Sequence, residues 1–213
     1  MQVNCHRKYN VCILLLTGFV MLIENLNKNQ IKSISENMSQ SLLKHPLFMF
    51  FCRDIKKRKD FINDYFRYYL PEWVKDEVLF ANDDCSVLLT GLNPKNFEFK
   101  YKGFNSYKMK KYEFASNVFV HRENLEMICD ILLPYTKPVL VLILYSSYEM
   151  PLEEVRKLII EAREYADKNN ITLMYDTFSR RYISTMRKEG FTVAYSKQFI
   201  TTQYSETVMT YNV

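Results

Sequence analysis

Residues 138–145 read PVLVLILY, an unbroken apolar run of strand length. A half-buried strand alternates apolar and polar side chains, so a strand apolar at every position must be covered on both faces. The run is well short of the ~20 residues a membrane-spanning helix needs. It predicts the centre of a sheet with helices packed on each side.

The segments that follow supply such a cover. Pro151 suits the first turn of a helix whose core face is Leu152, Val155, Leu158, Ile159, Ala162 and Ala166, ending at Asn169-Asn170. Glu153 and Glu154 near its start favour its dipole. A strand over 172–176, a helix over 179–189 closed by Gly190, and strands over 192–199 and 205–212 complete the C-terminal half. Helices on a mixed α/β sheet are the expected outcome.

Upstream, Ile31, Ile34, Met38 and Leu42 place one apolar stripe on a helix that His45-Pro46 breaks. A second helix is expected over 59–70, stopped by Pro71. Strands over 78–80 and 86–90 flank the polar turn Asn82-Asp83-Asp84 and should pair as a hairpin ended by Gly91 and Pro94. Helices over 106–115 and 123–133 then lead to the central strand, with Leu125, Ile128, Ile131 and Leu132 on one side of the second.

A chain of 213 residues, 48% hydrophobic, has enough apolar surface for one core and too little length for two ordinary domains. The net charge of +5 is concentrated most at Lys56, Lys57, Arg58 and Lys59, followed by Phe61, Tyr65, Phe66, Tyr68 and Tyr69. That mixture occurs in single-strand nucleic-acid sites, but the rings fall on helical spacing and are expected in a core, so no nucleic-acid partner is expected. Cys5, Cys12, Cys52, Cys85 and Cys129 are scattered without a C-x-x-C, which predicts reduced thiols and a cytoplasmic location. His6, His45 and His121 show no metal-ligand spacing, so no metal is expected.

Residues 11–23 (VCILLLTGFVMLI) follow His6, Arg7 and Lys8 in the order of a signal sequence, without an A-x-A-like cleavage site. Three readings stand: Met21 is the functional start and 21–26 open the first strand, the run is a membrane anchor, or it is an ordinary buried element. The first divides the chain into an extension, 1–20, and a domain, 21–213.

The order of elements, with certain residues, resembles the GNAT superfamily of N-acetyltransferases. Ser41-Leu42-Leu43-Lys44-His45-Pro46-Leu47-Phe48, with Lys56, Arg58 and Phe61 beyond, is similar to the opening "helix, x-x-P-L-F, basic residue, helix" of one GNAT group. Residues 139–166 resemble the central strand and cofactor-binding helix. Tyr175-Asp176-Thr177 looks like the "L-E-T" that ends the fifth strand, and residues 186–191 are similar to a "Y-x-x-x-G-F" after it. The resemblance covers about 21–213 and implies the acyl-CoA N-acyltransferase-like fold, acetyl-CoA as co-substrate and an amine acceptor.

In that superfamily the central strand splays from its neighbour and bonds the pantetheine arm, while a Q/R-x-x-G-x-G/A loop turns its amides toward the pyrophosphate. The resemblance places Leu144, Tyr145, Ser146, Ser147 and Arg156 at the cofactor. The stretch 146–156 contains no glycine, however; Pro151 removes a donor, and Glu149, Glu153 and Glu154 bring negative charge. Met186 stands where the family has its proton-donating tyrosine, one turn after Tyr182. Asp176 and Glu149 are positioned as general bases and Tyr182 as the acid. His121, beside Arg122 and Glu123, reads as the start of a helix. Two functions follow: transfer of an acyl group from acetyl-CoA to an amine, or a non-catalytic GNAT-fold binding module that has lost the cofactor.

Overall fold

A computed structural model of the chain describes residues 20–94, 115–132, 137–198 and 205–213. The apolar run forms β4 (Val139–Ser146), fourth in a seven-stranded sheet. Before it come β1 (Val20–Leu22), β2 (Val78–Asn82) and β3 (Val87–Leu92); after it come β5 (Thr172–Thr177), β6 (Thr192–Gln198) and β7 (Ser205–Tyr211). The spatial order is β1-β2-β3-β4-β5-β7-β6, and β4–β5 is its one parallel pair among the described residues.

Successive residues of β4 enter two separate cores, as an all-apolar strand requires. Val141, Ile143 and Tyr145 pack on one face, and Leu140, Leu142 and Leu144 on the other. The first face is covered by α1 (Lys28–Ser41), α2 (Pro46–Phe51), α3 (Ile55–Asp76) and α4 (Ala115–Leu132). The second carries α5 (Leu152–Asn169), the crossover that makes β4 and β5 parallel, and α6 (Ile183–Lys188) after a 3₁₀ turn at Arg180–Tyr182. Val155, Leu158, Ile159, Ala162 and Ala166 are buried as their spacing predicts, while Leu152 is exposed at the first turn.

Local chemistry sets the ends of these elements. Asn27 caps α1, accepting from the Gln30 amide at 3.0 Å while the Gln30 side chain accepts from the Asn27 amide at 2.8 Å. Asn170 takes the left-handed conformation beyond α5, and Gly190 does the same beyond α6 with φ of 86°.

Three expected boundaries are overturned. Helix α3 runs through Pro71 to Asp76, because burial of Trp73 against Tyr69 and Tyr145, with centroids at 5.7 and 5.4 Å, offsets the lost backbone bond. Strand β3 continues through Gly91, where a Cβ would stand 3.3 Å from Leu140 Cδ1; the glycine makes room for β4 rather than ending the strand. Helix α4 already includes Ala115, which places His121 and Arg122 inside it and in the core instead of at its start. The helix expected over 106–115 and the apolar run before Val20 lie outside the described residues. None of the described helices is long and apolar enough to cross a membrane.

The basic run resolves into two kinds of residue. Lys56, Lys57 and Lys59 differ from Arg58, which is buried and donates to the carbonyls of Cys52 at 2.7 Å, Leu43 at 2.7 Å and Arg53 at 3.0 Å. Phe61, Tyr65, Phe66 and Tyr69 are buried beside Phe48 and Phe51 as one aromatic cluster. Substituting Gly190→Ala forces a side chain into positive φ, with its Cβ 3.3 Å from the Tyr211 ring. Chemical denaturation should show a loss of about 1 kcal/mol or more.

Candidate active site

The parallel ladder between β4 and β5 runs from Val139–Thr172 to Ile143–Asp176 and stops there. Both strands continue. Beyond that point β4 stays paired with β3 as far as Ser146, and β5 stays paired with β7 through Thr177. The β5-facing edge of Leu144, Tyr145 and Ser146 therefore has no strand partner among the described residues. The two strands thus part at their carboxyl ends, the place where open α/β sheets receive ligands, and the residues around this crevice between them are buried.

Two groups flank it from opposite faces. On the α5 face, the Tyr182 and Ser146 hydroxyls, both buried, lie 2.7 Å apart. The 3₁₀ turn after β5 carries Tyr182 to the end of β4, so this bond links the parted strands. On the other face, the His45 ring lies against the backbone of Leu144. Its Nδ1 is buried without a hydrogen-bond partner among the described residues, and burial lowers its pKa to about 4, so the ring is neutral at physiological pH. Arg58 holds the chain on both sides of this histidine, since Leu43 lies before it and Cys52 and Arg53 after.

Beneath the crevice floor lies a buried polar cluster. His121 Nε2 and Asp176 Oδ2 are 2.8 Å apart, and Glu206 Oε1 is 3.9 Å from the same nitrogen. Arg122 donates to the Tyr65 hydroxyl at 3.0 Å, which bonds the Tyr145 hydroxyl at 3.0 Å. Burial raises Asp176 to about 7, against the opposing pull of Arg122. Burial and the Asp176 charge also raise Glu206 to about 7, and the two carboxyls hydrogen-bond each other. Burial first and Arg122 second lower His121 to about 3.

These shifts define one neutral arrangement. Two adjacent buried carboxylates repel, so Glu206 keeps its proton and donates to Asp176. Asp176 is ionised opposite Arg122, and neutral His121 donates from Nε2 to Asp176. The ligand atoms of His121, Asp176 and Glu206 lie within 4.8 Å of one another, and this set could hold a divalent cation. No spacing in the sequence pointed to it, because its members come from α4, β5 and β7. Arg122 brings a positive charge to the same cluster.

The residues singled out from sequence are distributed unevenly. Leu144, Tyr145 and Ser146 form the free edge of β4, and Asp176 and Tyr182 flank the crevice. Glu149 is exposed in the turn before α5, next to the partly buried Ser147. Arg156 is held by Glu189 at 2.7 Å and approaches Glu153 at 3.8 Å, so its charge is committed along the helix surface. Met186 is fully buried. Sequence reasoning missed His45 as a crevice residue, although it had marked His45-Pro46 as a breaker.

Solved structures of GNAT N-acetyltransferases match nearly the whole chain, and the chain has their fold. A Drosophila melanogaster polyamine N-acetyltransferase, which forms N-acetylagmatine, is similar over 91% of this chain and 100% of its own, with TM-score 0.55 and 9% identity. The C-terminal condensation domain of Ebony, in complex with β-alanyl-dopamine, gives 0.58 and 12% over 91% and 98%. The yncA acetyltransferase of Salmonella typhimurium, with acetyl-CoA, gives 0.50 and 10% over 90% and 91%. No known family profile and no curated protein matches the sequence.

Glu206 gives this cluster a signature in stability. The unfolded chain releases its proton near the ordinary 4.5, whereas the fold keeps it to about 7. The protein thus loses stability on this account as pH rises between those values, and no more above 7. In Glu206→Gln the amide can still donate to Asp176 without titrating. Thermal unfolding should show the difference, variant minus wild type, growing by roughly 1 kcal/mol or more from pH 4.5 to 7 and then levelling. A variant that becomes relatively less stable over that range would place the proton elsewhere.

Proposed function

We propose that the protein transfers an acyl group from a thioester of the acetyl-CoA class to a primary amine, in the crevice between β4 and β5. The observation that carries this reading is the end of the parallel ladder at Ile143–Asp176, which leaves the edge of Leu144–Ser146 open to a pantetheine amide. Solved structures with this fold include enzymes acting on agmatine or polyamines and one with acetyl-CoA.

The chemistry divides between the two faces. The amine nitrogen attacks the thioester carbonyl, and the C–S bond breaks. His45 accepts the proton lost by the amine at its unpartnered Nδ1, and Tyr182, oriented by Ser146 at 2.7 Å, gives its hydroxyl proton to the departing thiolate. Asp176 acts indirectly: its bond to His121 fixes α4 under the floor at the last paired residue of β5. Glu149 contributes from solvent, drawing a cationic amine toward the mouth.

Thiol release from acetyl-CoA with a panel containing agmatine, a polyamine and dopamine tests the proposal. Tyr182→Phe and His45→Ala should each lower kcat on the order of 10²-fold with little change in KM. Absence of thiol release above the uncatalysed rate with every amine, and with longer acyl-CoAs as well, would sink the reading.

A further inference from the structure

The N-terminus of α5 is poorly suited to a diphosphate. Its turn is glycine-free and closed by a bond from the Met150 amide to the Ser147 carbonyl at 3.2 Å. Pro151 has no N–H to offer, and Glu153 and Glu154 occupy the first turn. Lys157 pairs with Glu154 at 2.8 Å, and Arg156 with Glu189 at 2.7 Å, so both cations of the helix's first turns are committed.

The positive charge lies instead on the turn and helix that follow β5. Arg181 reaches back to this same turn, donating to the Met150 carbonyl at 2.6 Å with its guanidinium 5.1 Å from the Tyr148 ring centroid. On the opposite side, Arg180, Ser184 and Arg187 recur at helical spacing and line one wall of an open cavity of about 530 Å³. Ser196, Ser205 and Thr207 form the facing wall, with Ile183 the apolar contributor. Strand alternation turns Glu206, between Ser205 and Thr207, to the other face of the sheet, where it joins Asp176. Glu189 is taken by Arg156 and Arg163. Arg180 and Arg187 are consequently exposed with no ion pair among the described residues.

Two guanidiniums and four hydroxyls, with no carboxylate among the described lining residues, make an oxyanion site, and guanidinium matches phosphate through paired N–H donors. The volume is in the range of sites for small phosphorylated ligands. The cavity lies across β5 from the crevice, since Thr207 pairs with Thr177 at the end of β5 and with Ser196 in β6. We propose that this cavity, rather than the α5 N-terminus, takes the phosphate groups of the acyl donor. This rests on the acyl-transfer reading and specifies how a nucleotide-bearing thioester is held without the glycine loop.

The test compares three probes on the wild type and on the exposed double variant Arg180→Gln/Arg187→Gln: inorganic pyrophosphate, acetyl-CoA, and S-acetyl-pantetheine, which lacks phosphate. Pyrophosphate should bind the wild type by calorimetry, with a salt-sensitive affinity that falls at least tenfold in the variant. The kcat/KM ratio of acetyl-CoA to S-acetyl-pantetheine should fall by a similar factor. Equal affinity of variant and wild type for pyrophosphate, or equal losses with both thioesters, would overturn the proposal. A wild type that binds pyrophosphate through these arginines but neither binds nor uses acetyl-CoA would keep the cavity as a phosphate site and remove the acyl-transfer reading. Matched melting curves exclude misfolding as the cause.

Discussion

The pairing of β4 with β5, and its end at Ile143–Asp176, governs the rest of the architecture. A parallel pair requires a crossover, and α5 provides it while covering one face of the sheet. Each strand keeps an antiparallel partner on its outer side after the inner ladder stops, so the parting leaves a supported crevice rather than two frayed ends. Tyr182 and Ser146 link the strands on one face, and the segment bearing His45 approaches from the other.

The charged groups below this floor are balanced against one another in a medium that tolerates little imbalance. Arg122 and Asp176 carry opposite charges, Glu206 holds a proton, and His121 is neutral. Truncating one member leaves the others desolvated without compensation, which costs more than the intact cluster contributes. Such a network favours one arrangement of α4, β5 and β7 over slipped alternatives, because a one-residue shift of β7 would turn Glu206 away from Asp176. Precision at Asp176 matters, since it is the last residue of β5 paired to β4.

What was legible in the sequence depended on how locally each feature was determined. The continuous apolar run announced β4, the five buried positions of α5 followed from periodicity, and Gly190 marked a left-handed helix end. Pro71 and Gly91 were misread because tertiary packing, around Trp73 and Leu140, outweighed their local tendencies. Arg58 looked like part of a solvated run, although it satisfies three carbonyls inside the fold. The cluster of His121, Asp176 and Glu206 joins positions far apart in the chain, one of which had been placed at a helix start. The end of a ladder and the side of a sheet that a histidine approaches have no signature in residue spacing.

Trp73 is the chain's single tryptophan, and its indole stacks on the Tyr145 ring with an interplanar angle of 23°. Tyr145 belongs to the open edge of β4, so the indole is one aromatic ring away from the crevice wall. Native emission from this protein therefore comes from one defined place, and any occupant that shifts Tyr145 alters the environment of that fluorophore. The fold carries its own optical reporter, with no label attached.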